Sequence, residues 1–396
     1  MPGFECFGEA ERKSVQEVLD SGVLMRYGFD AMRSGHWKAR ELELALAQRM
    51  EVDHAHLVSS GTAALTVALA SSGIGSGDEV IVPTFTFVAS FEAILAVGAS
   101  PILCDINATL GLDPLAVETV ITPKTRAIMA VHMCGSMADL TALKKIAKKY
   151  HLVLIEDACQ AIGGTFNGRP LGSIGDIGCF SFDYVKTITC GEGGGLITNS
   201  SDIYDKAQAF SDHGHDHLGM DRGADEHPHL GYNYRISELN AAVGLAQLKR
   251  LDEFLAIQKR NYIQLREALS NLPEVEFRHV PVGGVENYSF LNFFLPNAKM
   301  TQQVNRILTE NSIDGAFYWF NNNWHYHRKW EHLKELSSPF KFSDEIKSNA
   351  LSQETRSFKD SDKWMERTLS LLIKLSWTEQ ELERRCTVLQ NLKKHL

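Results

Sequence analysis

The amino-acid sequence predicts an α/β protein, with a large domain built around a mainly parallel sheet and a smaller α+β domain after it. Two observations carry this prediction. Seven short, strongly apolar segments recur between residues 55 and 199, and helix-like stretches such as 62–71 and 137–150 separate them. Short, nearly continuous apolar segments are typical of strands buried on both faces, and their alternation with helices favours parallel pairing.

The predicted strands follow one another at short intervals, and polar or glycine-rich residues come after them. In chain order they are AHLVSS (55–60), EVIVP (79–83), SPILCDI (100–106), RAIMAVHM (126–133), LVLIEDA (152–158), IGCFSFD (177–183) and GGLITN (194–199). Because open α/β sheets bind their ligands beyond the carboxyl ends of the strands, we expect functional residues directly after these segments.

The pattern changes beyond Asn240, where charged, helix-like stretches replace the regular alternation. We predict one long helix over 241–257, a strand over 288–296 (YSFLNFFLP) and a long surface loop over 337–362. A boundary near residue 250 follows, which divides the chain into a large domain (1–250, with the N-terminal segment) and a small C-terminal domain (251–396).

The composition disfavours several classes of function. The 396 residues include 40 Lys and Arg against 49 Asp and Glu, a formal charge of −9, so no basic surface for nucleic acid is expected. No apolar segment approaches the roughly 18 residues that span a bilayer, so no membrane contact is expected. The seven cysteines are scattered and lack metal-binding spacing, which indicates a reducing cytoplasm and predicts no metal site.

The first candidate site is the turn Ser59-Ser60-Gly61-Thr62, which follows the first predicted strand and opens a helix. Free backbone N–H groups and the positive end of the helix dipole make such a turn a ready phosphate site. Small residues before a helix serve as simple N-caps about as often as they bind a phosphate. This segment alone therefore leaves both interpretations open.

A second candidate lies at the end of a very apolar strand, in the run Glu156-Asp157-Ala158-Cys159-Gln160. A buried Asp157 either caps the following turn or pairs with a protonated pyridine nitrogen of a cofactor. Gln160 would then hydrogen-bond a hydroxyl of the same ring. Taken alone, the structural interpretation of this run is the stronger one.

The strongest single indication is Lys186, which lies between the apolar run 180–182 and the glycine-rich run 191–195. Desolvation among such neighbours keeps a lysine amine unprotonated and suits it to covalent chemistry with a carbonyl. Glycines let backbone approach a flat ring closely. The alternative is a solvated surface lysine, which is the usual state of this residue.

A fourth candidate is the turn 231–238, which contains Asn233 and Arg235 and precedes a long helix that Ser237 is expected to cap. Either side chain is able to reach a phosphate or a carboxylate. An ordinary capped loop also explains the turn, and on this segment alone it is the preferred interpretation.

Five motifs, in this order along the chain, resemble those of the DegT/DnrJ/EryC1/StrS family of sugar aminotransferases. They are SSGTAAL (59–65), VIVPTFTFVAS (80–90), EDACQAIGG (156–164), FSFDYVKTITCGEGG (180–194) and GYNYRISELNAAVGLAQL (231–248). The resemblance covers nearly the whole chain. It implies pyridoxal 5′-phosphate (PLP) as cofactor, a fold-type I transferase with a seven-stranded central sheet, and a homodimer with shared active sites.

The resemblance also implies roles for single residues. Lys186 matches the lysine that binds the cofactor and moves the proton during transfer, and Asp157 matches the partner of the pyridine nitrogen. The other cofactor contacts it implies are Gly61, Thr62 and Ser181 at the phosphate, Phe87 on the ring face, Gln160 at the ring hydroxyl, and Asn233, which reaches the phosphate of the neighbouring subunit.

Within the family, further stretches resemble aminotransferases that act on an eight-carbon acidic sugar. They are MPGFECFG (1–8), VHMCGSMA (131–138), FSDHGHDHLGMDRGA (210–224), FYWFNNNWHYHRKW (317–330) and LSLLIKLSWT (369–378). This implies L-glutamate as amino donor and 8-oxo-3,8-dideoxy-manno-octulosonate as acceptor, giving an 8-amino sugar for surface polysaccharide. A nucleotide-linked keto-hexose is the alternative acceptor.

Substrate contacts are predicted at five residues. Arg26 and Arg235 are candidates for the carboxylate of an acidic sugar, which favours a bidentate guanidinium. His213 and His215, in the histidine-rich run 213–217, are expected to line the active site and contact sugar hydroxyls rather than a metal ion. Trp324 belongs to an aromatic cluster that either lines a sugar pocket or fills a domain core.

Two other functions are weighed against this one. A PLP-dependent sugar dehydratase on the same fold is disfavoured, because related dehydratases replace the cofactor lysine by histidine whereas this chain keeps Lys186. A non-catalytic regulator that binds PLP or a sugar is disfavoured by the intact Lys186, Asp157 and Gln160.

Overall fold

The computed structural model describes residues 3–218, 223–354 and 356–395. The strands in these ranges are β1 (His54–Val58), β2 (Glu79–Pro83), β3 (Ser100–Cys104), β4 (Thr125–Val131), β5 (Val153–Asp157), β6 (Thr165–Phe166), β7 (Arg169–Pro170), β8 (Ile177–Ser181), β9 (Gly194–Thr198), β10 (Glu276–Phe277), β11 (Gly284–Val285), β12 (Phe290–Phe294), β13 (Ala316–Phe317) and β14 (Thr368–Leu372). The helices are α1 (Glu9–Ser21), α2 (Lys38–Met50), α3 (Gly61–Ser71), α4 (Val88–Ala96), α5 (Pro114–Val120), α6 (Leu140–Tyr150), α7 (Ser201–Ser211), α8 (Glu238–Lys249), α9 (Leu251–Ser270), α10 (Ala298–Glu310), α11 (Glu331–Lys334), α12 (Asp344–Glu354), α13 (Lys359–Met365) and α14 (Glu379–Asn391).

The large sheet has seven strands in the order β1-β9-β8-β5-β4-β2-β3. Four pairs of neighbouring strands are parallel: β8 with β5, β5 with β4, β4 with β2, and β2 with β3. Strand β9 is antiparallel to both of its neighbours, β1 and β8. Each predicted strand between residues 55 and 199 overlaps one strand of this sheet. The predicted α/β fold with a mainly parallel seven-stranded sheet is therefore confirmed.

Helices cover both faces of this sheet, which explains why its strands are apolar throughout. Successive residues of a strand point to opposite faces. In β2, Val80 and Val82 belong to one buried core, together with residues of α3 and α4. Ile81 belongs to the other core, together with residues of α2, α6 and α8. Burial on both faces removes the polar positions that a half-exposed strand would show.

The C-terminal part contains a second, four-stranded antiparallel sheet in the order β10-β12-β14-β13. The predicted strand over 288–296 is present as β12. Residues of α9, α10 and α14 form a third apolar core against this sheet. β11 pairs with β6 of the large part, and Phe290 of β12 lies in a core of the large sheet. The division at residue 250 consequently stays a prediction.

The prediction of a single helix over 241–257 is wrong, because the helix is interrupted at Arg250, between α8 and α9. Arg250 leaves the helical conformation (φ −103°, ψ 3°), and its guanidinium donates to the carbonyl oxygen of Cys6 at 2.6 Å. A break stabilised by contact with the far N-terminus needs no glycine or proline. The local sequence for this reason contains no sign of it.

The predicted surface loop over 337–362 is also wrong, since α12 and the first residues of α13 occupy much of it. Ile346 and Phe358 are buried in the core that includes α3 and α4. Arg356 donates to the carbonyl oxygen of Leu103 at 3.0 Å. These helices depend on tertiary packing rather than on a strong apolar period. No helix in the described ranges is long and apolar enough to cross a membrane.

Candidate active site

A cavity of about 530 Å³ lies beyond the carboxyl ends of the large sheet's strands. The chain reaches it at Ser60 after β1, at Val131 of β4, at Asp157 of β5 and at Ser181 of β8. Residues of the C-terminal part close its other side. The predicted cofactor contacts that line it are Gly61, Thr62, Phe87, Asp157, Gln160, Ser181 and Lys186.

The N-terminus of α3 opens on this cavity and offers a place for a phosphate. Ser60 caps the helix, because its Oγ accepts a hydrogen bond from the backbone N–H of Ala63 at 3.0 Å. A Cβ on Gly61 would lie 2.7 Å from the Cβ of Ser181, so only glycine lets α3 approach the end of β8 this closely. Helix N-termini bind phosphate through N–H groups and the helix dipole, and this cradle fits the phosphate of PLP.

Asp157 provides a fixed, buried carboxylate in the cavity. Its Oδ2 accepts a hydrogen bond from Ser90 Oγ at 2.6 Å, and its Oδ1 accepts one from the N–H of Cys159 at 3.1 Å. Ser90 Oγ lies 2.6 Å from Thr86 Oγ1, which holds the serine in turn. A carboxylate oriented in this way fits a protonated ring nitrogen.

Lys186 lies in the turn after β8, where its backbone N–H donates to the carbonyl oxygen of Asp183 at 3.0 Å. The carbonyl oxygen of Lys186 accepts a hydrogen bond from the N–H of Gly3 at 2.9 Å. Lys186 and Asp157 thus line one cavity from separate strand ends. An amine and a carboxylate placed around one ring-sized space fit the attachment and polarisation of PLP.

Two further side chains complete the fit to a flat, hydroxylated ring. Phe87 is 39% exposed and lines the cavity beside the ring of His325, whose centroid is 5.3 Å away. The Oε1 of Gln160 accepts a hydrogen bond from the N–H of Cys134 at 2.9 Å. This fixes the amide orientation and leaves Nε2 as the donor available to a ring hydroxyl.

Arg26 does not line the cavity of its own chain, and its role as a carboxylate ligand stays a prediction without support there. Its guanidinium is buried near β1, where it contacts Glu43 Oε1 at 2.7 Å and donates to the carbonyl oxygen of Leu57 at 2.8 Å. Burial opposes the ionisation of Glu43, yet Arg26 and then His56 outweigh it and lower the pKa of Glu43 to about 2. Arg26 is therefore the partner of an internal carboxylate.

Asn233 and Arg235 also lie outside the cavity of their own chain. Asn233 is exposed and forms an isolated bridge with Asp212, and its Oδ1 accepts a hydrogen bond from the N–H of Arg235 at 3.4 Å. Arg235 Nη1 donates to the buried Asp212 Oδ1 at 2.5 Å. A role for either residue consequently requires the active site of a second subunit, and it stays a prediction.

The two histidines predicted to contact sugar do not line this cavity. His213 is exposed, and its carbonyl oxygen lies 2.9 Å from Nδ1 of His227. His215 is buried with its ring 4.2 Å from that of His227 and its Nδ1 3.3 Å from Asp225. Within the described ranges, no group of three or more His, Cys, Asp or Glu is placed to hold a metal ion. Residues 219–222, which belong to the stretch 210–224 that resembles enzymes of the acidic sugar, lie outside the described residues.

Trp324 lies beside the cavity rather than in its lining, with 60% of its surface exposed and its ring 6.3 Å from that of Phe87. The neighbouring His325 does line the cavity and was not among the predicted contacts. Burial, and then the positive charge of Lys186, lower the pKa of His325 to about 3. The cavity is also lined by Phe4, Glu5, His132, Trp319 and Lys374, which lie in the stretches that resemble enzymes of the acidic sugar but were not predicted as single contacts.

Comparisons with known proteins agree with this geometry. Residues 5–357 match the model of the DegT/DnrJ/EryC1/StrS aminotransferase family. The chain is 43% identical over 222 residues to a GDP-perosamine synthase of Caulobacter vibrioides. The aligned region covers 56% of this chain and 58% of that protein. It is 36% identical over 316 residues to a GDP-perosamine synthase of Vibrio cholerae, 79% of each. An aminotransferase structure from Psychrobacter cryohalolentis superposes with a TM-score of 0.86 at 25% identity, over 98% of each chain.

Proposed function

The chain belongs to the DegT/DnrJ/EryC1/StrS family of PLP-dependent sugar aminotransferases, and we propose that it transfers an amino group from L-glutamate to a keto-sugar. One observation carries the proposal. Lys186, Asp157 and the N-terminus of α3 meet around a single cavity, although they lie far apart in the sequence. This combination supplies an amine, a carboxylate and a phosphate cradle, which are the protein groups that PLP chemistry requires.

Each residue of the cavity has a distinct task in this reaction. Bound PLP supplies an electron-accepting ring that stabilises the charge left on a substrate carbon when its proton departs. Nζ of Lys186 holds the cofactor and then takes and returns the proton at the reacting carbon. Asp157, oriented by Ser90 and the N–H of Cys159, would pair with the ring nitrogen of the cofactor. Phe87 provides an apolar face and excludes water from one side.

A nucleotide-linked keto-hexose is the acceptor that we favour. The proposal draws support from the two GDP-perosamine synthases, because both are curated relatives that share more than a third of their aligned residues with this chain. The relatives do not support the octulosonate that the sequence resemblance implies as the acceptor. The amino donor in this proposal is L-glutamate with either sugar.

The eight-carbon acidic keto-sugar remains a second candidate because of one observation. The stretches that resemble enzymes of this acidic sugar contribute directly to the cavity. Phe4 and Glu5 come from 1–8, Phe317, Trp319 and His325 from 317–330, and Leu372 and Lys374 from 369–378. Residues on the acceptor side of a cavity determine which sugar fits, so this agreement supports 8-oxo-3,8-dideoxy-manno-octulosonate.

The first experiment follows the absorbance of the PLP-loaded protein after excess L-glutamate, with 2-oxoglutarate assayed in the same solution. We expect the absorbance to change and 2-oxoglutarate to appear. A GDP-linked 4-keto-hexose and the octulosonate are then added in separate experiments. We expect only one of the two sugars to restore the original absorbance. No change with glutamate or any other amino donor would contradict the aminotransferase proposal and favour the dehydratase or the regulator.

Lys186→Ala should abolish this reaction. Loss of the group that moves the proton should lower turnover by about a thousandfold or more. The matched control is Lys124→Ala, since Lys124 is exposed and pairs with Glu345 at the surface. Steady-state rates with glutamate and the accepted sugar provide the measurement. Near-native turnover of the Lys186→Ala protein would overturn the role of this lysine.

The proposal includes a homodimer whose subunits complete each other's active sites. Asn233 is exposed and directly follows a short segment with two exposed apolar residues, Leu230 (94% exposed) and Tyr232 (59% exposed). Apolar residues this exposed are typical of surfaces that a partner covers. The resemblance that assigns Asn233 to the neighbouring subunit's phosphate agrees with this position.

A further inference from the structure

His325 has a neighbour that determines which of its ring nitrogens carries hydrogen. Nδ1 of His325 lies 2.8 Å from Oδ1 of Asn322. The backbone N–H of Trp324 donates to the same Oδ1 at 2.9 Å. A backbone N–H only donates, so this amide atom is an acceptor, and it is the oxygen rather than the nitrogen. Nδ1 of His325 must therefore carry the hydrogen.

This arrangement leaves Nε2 of His325 as a hydrogen-bond acceptor. A neutral imidazole has one N–H and one lone pair, so a hydrogen on Nδ1 places the lone pair on Nε2. The ring lines the cavity, packed 5.3 Å from Phe87 and 4.6 Å from Trp319 between ring centroids. Among the described residues, Nε2 has no hydrogen-bond partner in the protein. A substrate group in the cavity is thus its natural partner.

The ring stays neutral in the pH range where the enzyme would work. Burial is the larger cause of its lowered pKa, about 3, and burial persists when Lys186 holds the cofactor. The charged or ionisable side chains that line the same cavity are Glu5, His132, Asp157, Asp183, Lys186, Glu192 and Lys374. None of them provides the hydrogen bond at Nδ1, which Asn322 alone makes among the described residues.

We propose that Asn322 is a positioning residue, which holds His325 with its hydrogen on Nδ1 so that Nε2 accepts a hydrogen bond from a hydroxyl of the acceptor sugar. The proposal rests on the proposed function, because it assigns this contact to the keto-sugar. A lone pair attracts a hydroxyl and repels an ether, a carbonyl or an anionic group. His325 thereby selects acceptors with a free hydroxyl at this point and directs a carboxylate or phosphate elsewhere.

The decisive variant is Asn322→Asp, which keeps an acceptor oxygen but adds a negative charge beside Nδ1. A carboxylate there stabilises the imidazolium and raises the pKa of His325. Below this raised pKa, Nε2 carries a hydrogen and cannot accept the sugar hydroxyl. We expect kcat/KM for the sugar to fall by roughly tenfold per pH unit below the new pKa and to recover above it. Release of 2-oxoglutarate from glutamate should keep its native pH profile.

The chain offers a matched control in Asn323→Asp. Asn323 is exposed, adjacent in sequence, and gains the same charge without a contact to the imidazole. Its pH profile should follow the native protein. If Asn322→Asp and Asn323→Asp have the same profile for the sugar, the proposal is overturned.

Two substitutions of the histidine test the acceptor role itself. His325→Leu removes the lone pair and should raise KM for the sugar about tenfold with little change in the glutamate reaction, the usual effect of losing one buried hydrogen bond. His325→Gln provides an amide oxygen and should recover part of this loss. Equal KM values for the two variants would contradict the contact with a sugar hydroxyl.

A spectroscopic measurement separates this proposal from the proposed function. In the PLP-loaded protein with ¹⁵N-labelled histidine, the signals lost in His325→Gln identify the two ring nitrogens of His325. We expect a protonated Nδ1 and an unprotonated Nε2 at neutral pH. The opposite tautomer would overturn the role of Asn322. Glutamate turnover without amination of either sugar would instead contradict the proposed acceptors, and the tautomer would still decide the role of Asn322.

Discussion

Arg26 and Glu43 form a buried ion pair whose two charges are satisfied inside the protein. Glu43 Oε1 accepts hydrogen bonds from Arg26 and from the N–H of Leu57, and Arg26 also donates to the carbonyl oxygen of Leu57. The pair thus attaches α2 to β1, the edge strand of the large sheet. Removing one member would leave the other charge buried without compensation, which costs several kcal/mol.

Glu43→Gln should lower the free energy of unfolding by about 3–5 kcal/mol at neutral pH, because Arg26 would then be an uncompensated buried charge. The native pair should also show a specific acid dependence. A pKa of about 2, against an ordinary 4.5, means that the stabilisation is complete above pH 4.5 and is lost as pH falls towards 2. Between pH 4.5 and pH 2, the melting temperature of Glu43→Gln should consequently fall less steeply than that of the native protein. A series of melting curves from pH 7 to pH 2 provides the measurement.

An exposed ion pair provides the control for this measurement. Arg49 and Asp252 pair at the surface, where 38% and 77% of their side chains are exposed. Arg49→Ala should change the free energy of unfolding by no more than about 1 kcal/mol, since surface pairs are screened by solvent. A change for Glu43→Gln as small as that for Arg49→Ala would show that Arg26 is not stabilised by Glu43.

At the scale of single elements, the N-terminal segment Gly3–Cys6 contributes to the site from far along the chain. Phe4 stacks on Tyr184 with ring centroids 4.2 Å apart, and Phe4 and Glu5 line the cavity. Glu5 Oε2 accepts hydrogen bonds from the N–H groups of Leu375 and Ser376, just after β14. The segment thus connects the loop of Lys186 to the C-terminal part and forms one wall of the cavity.

Gly3→Ala should displace this segment. A Cβ at residue 3 would lie 2.1 Å from Gln247 Oε1 and 2.8 Å from the carbonyl oxygen of Thr187, which is closer than real contacts allow. With the wall moved, the sugar is held less precisely, and KM for the acceptor should rise about tenfold. The rate of 2-oxoglutarate release from glutamate should change much less.

Gly8→Ala is the matched control, because the nearest atom to its new Cβ would be 3.8 Å away. Steady-state kinetics of both variants with glutamate and with the sugar provide the comparison. If Gly3→Ala leaves KM for the sugar unchanged, the segment does not contribute to acceptor binding.

At the scale of the whole molecule, the proposed homodimer makes a prediction about mixed subunits. Lys186→Ala removes the lysine from its own cavity, whereas Asn233→Ala removes the residue assigned to the cavity of the neighbouring subunit. Each variant alone should be impaired. When both are produced together, heterodimers should contain one cavity with both residues intact, and activity should recover in part.

Subunits purified by two different affinity tags allow this recovery to be measured on heterodimers alone. The control is a dimer in which both differently tagged subunits carry Lys186→Ala, and it should remain inactive. Failure of the mixed dimer to exceed its parents, or full activity of a stable monomer, would contradict the role of Asn233 in a neighbouring site.

The sequence by itself determined the parts of this protein that depend on short-range patterns. Seven apolar segments specified the strands of the large sheet, because burial on both faces leaves a local signature in each strand. Motifs around Gly61, Asp157 and Lys186 were recognisable because a tight turn or a strand end requires particular residues in a row. The rule that ligands bind at the carboxyl ends of parallel strands then placed these residues near one another.

Only the tertiary structure decided the roles of residues whose partners lie far along the chain. Arg26 resembles a substrate ligand in the sequence and is an internal ion-pair partner. Phe4 and His325 both reach the cavity although more than 300 residues separate them in the sequence. The break at Arg250 depends on a carbonyl group of Cys6, more than 200 residues away. Such contacts leave no periodic trace in the sequence, because their free energy comes from packing and hydrogen bonding between segments that only folding brings together.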